Sequence, residues 1–319
     1  MSRQPSIAAP PHIRAPLGTP AIMWWVSATL LPVVAAATWF FGLHALLVVL
    51  LCTLSAAGTE ALWRLLRKEP QTEGDGSAAL TGLLLALTLP PMVPWWIAVV
   101  GGSVSILLGK MVFGGLGWNI FNPALVGRAF LMLSWVRHLS KDWAQPMAVI
   151  DAKTSATPLY AMELLQVGEP VERFVKADAV GAFLWGNVSG CIGEVSALLL
   201  LLGGLVLLAK GIIDWRIPAT YLGTVFLLTW ILGRDPVFYL LAGGLLLGAF
   251  YMATDYVTSC ITPRGRIVFG VGCGALTVML RFYSGLPESV MFAILFMNMC
   301  APLIDRYTVP RKFGWVRPS

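Results

Sequence analysis

A long stretch near the start of the chain lacks acidic residues, lysine and arginine, and this constrains the fold more than any other feature. Residues 15–59 contain no Asp, Glu, Lys or Arg. At about 1.5 Å per helical residue, such a stretch can cross a hydrocarbon core of about 30 Å twice. Of the 319 residues, 57% are hydrophobic and 12% are charged, whereas soluble domains carry about a quarter charged residues. The sequence therefore predicts a polytopic protein whose main surroundings are the lipid bilayer.

Apolar runs separated by charged or Gly/Pro-rich joints predict an all-α fold with about ten transmembrane helices. The third and fourth runs are separated only by Pro90, Pro91 and Pro94, so they could instead form one broken helix. The candidate spans are residues 22–41, 44–63, 77–93, 94–113, 119–136, 181–208, 217–233, 236–254, 267–284 and 287–304.

The spans divide into two membrane halves of five. We expect the first half to cover residues 22–136 and the second to cover residues 181–304, with tails at residues 1–21 and 305–319. An odd number of spans per half places the halves in opposite orientations, as in inverted-repeat transporters. A faint match between residues 104–109 and 195–200 favours a 5+5 inverted repeat with broken or re-entrant segments. Chance matches between Leu-rich segments are common, however.

The placement of basic residues predicts the orientation. With both termini in the cytoplasm, fourteen Lys and Arg residues fall on the inner side and seven on the outer side, with Arg128 inside a span. This asymmetry favours an orientation in which the loop of residues 137–180 lies on the outer, periplasm-like face. The net charge of +6 thus indicates membrane orientation, and we expect no nucleic acid partner.

Residues 109–128 are too rich in Gly, Asn and Pro for an ordinary span. Irregular backbone at membrane depth persists only where protein or a polar cavity satisfies its N–H and C=O groups. Lys110 and Arg128 could neutralise a phosphate, and we count Asn119 and Asn122 of the same segment among the cofactor-binding candidates. Alternatively, Lys110 reaches the inner surface and the glycines allow close helix packing. No Gly-Lys-Ser/Thr follows at the required spacing, which excludes a nucleoside triphosphatase.

Acidic residues near the membrane raise a separate question. Asp255, amid hydroxyl-bearing residues, could pair with Arg264 or Arg266, or contact a cofactor or a transported cation. The sequence leaves the roles of Asp255, Glu60 and Glu194 open. The five cysteines form no CxxC pair, so we expect neither a zinc site nor an iron–sulfur cluster.

The loop at residues 151–157 (Asp-Ala-Lys-Thr-Ser-Ala-Thr) contains a candidate modification site. A threonine hydroxyl is a poor nucleophile without a base, and none of the three histidines lies near Thr157 in the sequence. Modification of Thr157 would therefore need a separate enzyme, for which Ser155 and Ala156 offer little steric hindrance. Pro158 favours extended backbone at Thr157. From these residues alone, an ordinary loop remains the simpler interpretation.

Several segments together resemble one known family. The chain resembles the RnfD subunits of Rnf ion-translocating ferredoxin:NAD oxidoreductase complexes, and is more distantly similar to the NqrB subunits of sodium-pumping NADH:quinone reductases. The matching segments occur in the family's order and are residues 77–87, 109–128, 155–159, 193–196, 252–255 and 298–305.

The resemblance implies two flavins. Thr157 would bear FMN through a phosphoester, installed by a periplasmic flavin transferase. A second, noncovalent flavin of the riboflavin type would lie nearer the inner face. Asp151, Thr154, Ala156 and Thr157 fit the family's flavinylation pattern, whereas Ser155 replaces a glycine. A second departure is Tyr256, which stands where proline is usual.

The resemblance also implies a function. We expect an electron carrier within a redox-driven translocase, coupling electron flow to transport of Na⁺ or H⁺. Its partners would be the other Rnf subunits, which include membrane, flavin-bearing and iron–sulfur subunits. The alternative is a solute channel or carrier on the same inverted-repeat scaffold, without a cofactor.

Overall fold

The computed structural model describes residues 17–69, 73–140, 181, 183–186, 190–284 and 289–310. Throughout these ranges the chain folds into helices joined by turns, with no β-strand. Four helices are long and apolar enough to cross a membrane. The prediction of an all-α, multi-pass membrane protein is therefore confirmed. The predicted modification segment, with Asp151, Ser155, Ala156 and Thr157, lies outside the described residues.

Twelve α-helices begin and end within the described ranges and are numbered here in chain order. They are α1 (Thr19–Phe41), α2 (Leu43–Arg67), α3 (Ser77–Thr88), α4 (Trp95–Ile106), α5 (Pro123–Ser134), α6 (Val136–Ser140), α7 (Ala197–Ala209), α8 (Arg216–Ile231), α9 (Pro236–Leu241), α10 (Leu245–Leu247), α11 (Pro263–Tyr283) and α12 (Ser289–Thr308). Two π-helical turns follow α4 and α10 directly, at Leu107–Met111 and Gly248–Met252.

Several of the predicted continuous spans are wrong in their extent. The long crossing helices are α1, α2, α11 and α12, while α3, α5 and α7 are shorter apolar helices. The predicted span 236–254 is interrupted between α9 and α10, and in the predicted span 181–208 the helix α7 begins only at Ala197. Apolar composition measures how readily a segment enters lipid, but it does not indicate where the helix breaks.

The helix breaks are stable because other parts of the chain form hydrogen bonds with the backbone groups exposed there. Between α3 and α4 lie three prolines, and there the carbonyl of Leu89 accepts a hydrogen bond from the Ile192 backbone N–H at 3.0 Å. Between α9 and α10, the Arg281 guanidinium donates to the carbonyls of Tyr239 (2.6 Å), Ala242 (2.9 Å) and Gly243 (3.3 Å). Each break therefore depends on a distant segment of the chain.

Small residues bring the long helices into close contact. A Cβ atom at Gly82 of α3 would lie 2.5 Å from the Cys52 carbonyl oxygen of α2, and one at Gly274 of α11 would lie 2.8 Å from the Tyr221 carbonyl oxygen of α8. Membrane helices associate through such close packing, because lipid offers no hydrophobic driving force between them. One buried core runs through both halves of the chain.

The two halves share an unusual local arrangement. In each, a π-helical turn leads into a polar turn and then into a helix that begins with proline. The side chain of Asn122 caps α5, and that of Thr262 caps α11. This correspondence supports an internal repeat. This correspondence does not coincide with the sequence match between residues 104–109 and 195–200. Residues 104–109 cross from α4 into a π-helical turn, whereas residues 195–200 lead into α7.

Candidate functional site

A cleft lies where the starts of α1, α3 and α5 meet the ends of α4, α7 and α10. Its free space is about 730 Å³, counting its open mouth. Apolar side chains make up much of the wall, and the polar lining residues include Ser77, Thr81, Lys110, Asn119, Asn122, Thr254, Asp255 and Tyr256.

The cleft brings together residues that the sequence marked in separate motifs. Lys110, Asn119 and Asn122 line it from the first half of the chain, and Asp255 lines it from the second. All four belong to ends of spans that the distribution of basic residues assigns to the same side of the membrane. The predicted order of spans therefore places these four residues on one side of the membrane.

Lys110 forms a buried ion pair. Its Nζ donates to Glu60 Oε2 and to Ser77 Oγ, both at 2.6 Å, and the Lys110 and Glu60 side chains are each 1% exposed. Arg64 contacts the other Glu60 oxygen at 3.2 Å. The alternative that Lys110 reaches the inner surface is therefore wrong, and Glu60 pairs with two cations. Charges at such depth require a partner of this kind.

The two asparagines of the cleft differ in how their amides are used. Asn122 Oδ1 accepts from the Ala124 backbone N–H at 3.0 Å, while its Nδ2 donates to the Met252 carbonyl at 3.2 Å. Asn122 therefore caps α5 and ties the two halves together. Asn119 Nδ2 donates to the Phe121 carbonyl at 3.3 Å, but its buried Oδ1 has no hydrogen-bond partner among the described residues. A buried acceptor of this kind is a candidate ligand contact.

Asp255 lies on the turn that follows the second π-helical turn. Its carboxylate accepts from Thr258 Oγ1 at 3.0 Å. Arg266 pairs instead with Asp214, at 2.5 Å, and within the described residues Asp255 forms no ion pair with Arg264 or Arg266. Asp255 is thus available to face the cleft. Sequence reasoning could not separate these alternatives, because both arginines lie within eleven residues of it.

The turn that bears Asp255 is anchored from α12. Asp305 accepts hydrogen bonds from the backbone N–H groups of Ile261 (2.9 Å) and Thr262 (3.0 Å). Carboxylates bind backbone N–H groups strongly at the start of a helix, where these donors lack partners within the helix. The match at residues 298–305 therefore includes a residue that positions one wall of the cleft.

Arg128 does not line the cleft. It is buried at 1% exposure within α5 and interacts with Cys191 and Glu194. The Glu194 carboxylate also lies close to the Gly190 and Gly244 backbone. Arg128 and Lys110 thus belong to separate polar clusters, and the geometry does not support their joint action on one phosphate. The charges of two cations, Arg128 and Arg281, act on Glu194.

Several cleft residues were missed by the sequence reasoning. Ser77, Thr81 and Thr254 lie at helix or turn positions that also suit ordinary packing, so nothing in their spacing singled them out. Tyr256 drew notice only because proline is usual there. Its hydroxyl donates a hydrogen bond to the Ile212 carbonyl, closing one side of the cleft.

Comparisons with known proteins support one family. The model of the NQR2, RnfD, RnfE family matches residues 6–314. A subunit of the Na(+)-translocating ferredoxin:NAD(+) oxidoreductase complex of Acetobacterium woodii is 46% identical over 309 residues, covering 97% of this chain and 95% of that protein. A subunit of the proton-translocating ferredoxin:NAD(+) oxidoreductase complex of Clostridium ljungdahlii is 44% identical, and the match covers 97% of this chain and 96% of that protein. A subunit of the ion-translocating oxidoreductase complex of Vibrio vulnificus is 35% identical, covering 97% and 99%.

Proposed function

The chain belongs to the NQR2, RnfD, RnfE family, and on that premise we propose that it is the flavin-carrying RnfD subunit of an ion-translocating ferredoxin:NAD oxidoreductase complex. The observation that carries the proposal is the similarity over nearly the whole chain to proteins named as subunits of such complexes. Its partners are then the other subunits of the complex. Two of these relatives, at 46% and 44% identity, are named for different ions, Na⁺ and H⁺, so membership of the family leaves the coupling ion open.

We propose the cleft as the site of the noncovalent flavin. Its mostly apolar wall with a few polar groups suits a flat aromatic ring. The open acceptor Asn119 Oδ1 fits the N–H or O–H donors that a flavin carries on its ring and its ribityl chain. A bound flavin supplies reversible one- and two-electron chemistry, while the protein sets its orientation and electrostatics.

The charge of the cleft favours riboflavin over FMN. Lys110 is the cation among the described lining residues, and its Nζ already donates to Glu60 and Ser77, both at 2.6 Å. Asp255 adds a carboxyl group to the lining. A phosphate buried here would have to compete with Glu60 for Lys110, and burying a charge without a partner costs several kcal/mol. The cleft therefore suits a flavin that ends in a neutral hydroxyl.

We propose Thr157 as the site of covalent FMN, with Asp151, Ser155 and Ala156 as parts of the segment that the transferase recognises. The support is the sequence of this loop and its proposed location on the periplasmic face, where an exported transferase could reach it. With both termini in the cytoplasm, the cleft lies toward the inner face and Thr157 toward the outer. The two flavins would then lie at opposite sides of an inner membrane protein.

The test is to measure the flavin content of the purified full-length chain, isolated from cells that contain a flavin transferase. Acid precipitation separates noncovalent flavin, which stays in solution, from covalent flavin, which stays with the protein. We expect riboflavin in the supernatant and FMN on the precipitated chain. A chain that holds neither would contradict the proposal and favour the solute channel or carrier.

A further inference from the structure

A second cavity opens beside the cleft, at the start of α8. Its free space is about 940 Å³, counting its open mouth. Apolar residues, among them Leu208 and Ile217, line part of it, and Asp214, Arg216 and Arg266 line another part. A wall that is part apolar and part charged is unsuited to a purely polar solute or a purely apolar one. It suits an amphiphile.

The charged part is a single carboxylate held between two guanidinium groups. Asp214 Oδ2 accepts from Arg216 Nη1 at 2.8 Å and from Arg266 Nη1 at 2.5 Å. Burial raises the pKa of Asp214, but its hydrogen bonds and the charges of the two arginines outweigh burial and lower that pKa below its ordinary value. The carboxylate is therefore ionised at neutral pH, and the trio carries one net positive charge.

The guanidinium groups remain accessible to a ligand. The Arg216 and Arg266 side chains are 34% and 29% exposed. Each uses one Nη atom on Asp214, and Arg266 also donates from Nε to the Cys260 carbonyl at 3.1 Å. The remaining guanidinium N–H groups can donate to phosphate oxygens. A phosphodiester carries one negative charge, which balances the one net positive charge of the trio.

Neighbouring residues indicate the depth of this cavity in the membrane. Trp215 is 62% exposed beside the Arg216 guanidinium, which lies 5.7 Å from its ring. Exposed tryptophans collect at the level of lipid headgroups. Lys210, at the end of α7, lies over the Trp25 ring at 3.8 Å, so aromatic and basic residues lie together on this side. The apolar wall at Leu208 and Ile217 can then contact acyl chains.

From these observations we propose that the cavity binds the headgroup of an anionic phospholipid, with its phosphodiester on Arg216 and Arg266 and its chains along α7 and α8. Basic pockets between transmembrane helices on the cytoplasmic side bind anionic lipids in this manner. The proposal concerns a lipid site separate from the flavins and does not depend on them. The cavity shares Tyr256 and Ile212 with the cleft, so the bound lipid covers the outside of a wall of the cleft.

The test uses the purified full-length chain, equilibrated with micelles containing equal phosphatidylglycerol and phosphatidylcholine. Native mass spectrometry then counts the retained lipids. We expect wild type to retain phosphatidylglycerol preferentially, and the double variant Arg216→Gln/Arg266→Gln to lose this retention by roughly tenfold or more, since each basic residue near a lipid surface contributes about fivefold. Arg264→Gln is the matched control, because Arg264 is exposed on the same turn but does not line the cavity.

Asp214→Asn provides an independent arm, because it removes the competing carboxylate while leaving both arginines. We expect retention of phosphatidylglycerol to rise roughly fivefold in this variant. If the double variant does not fold, the result for Asp214→Asn decides the test. Unchanged retention in a folded double variant, equal retention of phosphatidylcholine, or no rise in Asp214→Asn would overturn the proposal. Displacement of the lipid by excess inorganic phosphate would also overturn it, by assigning the site to free phosphate.

Discussion

Lys110 Nζ lies 2.6 Å from Glu60 Oε2, although fifty residues separate the two in the chain and both side chains are buried. The pair joins the π-helical turn after α4 to the last turns of α2. It also brings Glu60 between two cations, since Arg64 contacts its other oxygen at 3.2 Å. This arrangement makes the contributions of the two partners to stability unequal.

Glu60→Gln should be more destabilising than Lys110→Met. Loss of the carboxylate leaves Lys110 buried without its anion, and breaking a buried pair in this way costs about 3–5 kcal/mol. Loss of the lysine costs less, because Arg64 still pairs with Glu60. The measurement is unfolding of the full-length chain in mixed micelles of increasing denaturing detergent. Glu69→Gln, at an exposed position, should change stability by less than about 0.5 kcal/mol. Equal effects of the two variants would argue against the pairing.

Asn119→Ala should weaken binding of riboflavin without unfolding the chain. Asn119 Oδ1 is the buried acceptor of the cleft that has no partner among the described residues, and a hydrogen bond contributes about 0.5–1.5 kcal/mol net. We therefore expect the dissociation constant to rise about threefold to tenfold, measured by titrating riboflavin into the flavin-stripped chain and following flavin fluorescence. The control is Thr38→Ala, because the Thr38 hydroxyl bonds within α1, to the Val34 carbonyl, and lies outside the cleft. Unchanged affinity in Asn119→Ala would remove Asn119 from the site.

The same titration should show that riboflavin binds more tightly than FMN. Lys110 already pairs with Glu60 at 2.6 Å, so the phosphate of FMN would have to compete with that carboxylate for the lysine. Glu60→Gln should reduce the difference between the dissociation constants of riboflavin and FMN, because it leaves Lys110 free to pair with the phosphate. If Glu60→Gln does not fold, the ratio of the two dissociation constants measured for wild type decides the test. Tighter binding of FMN by wild type would show that the cleft offers a positive charge that this account omits.

The sequence predicted the fold class and the long helices well. Runs such as those of α1 and α2 combine length with apolar composition, and these two properties alone determine whether a helix can cross the membrane. The breaks in the predicted spans were harder to place. They depend on distant donors such as Ile192 and Arg281, which satisfy exposed carbonyls, and no local pattern encodes these partners.

The candidate site was predicted in its parts but not in its assembly. Gly, Asn and Pro within an apolar region indicated that Lys110, Asn119 and Asn122 lie in special backbone, and the cleft contains all three. The same reasoning grouped Arg128 with Lys110, because sequence distance does not tell which face of a helix meets which neighbour. Arg128 instead interacts with Glu194, sixty-six residues away in the chain.

The central claim, that this chain carries flavin covalently, is tested most directly by in-gel fluorescence of the denatured full-length protein. It should be produced in cells that contain the flavin transferase, as wild type, Thr157→Ala and Thr38→Ala. Thr38 is the control, because it lies in α1, outside the flavinylation pattern, and its hydroxyl bonds to the Val34 carbonyl. We predict a fluorescent band for wild type and Thr38→Ala and a dark band for Thr157→Ala. A dark wild-type band would contradict the electron-carrier account, and fluorescence retained in Thr157→Ala would contradict the assigned site.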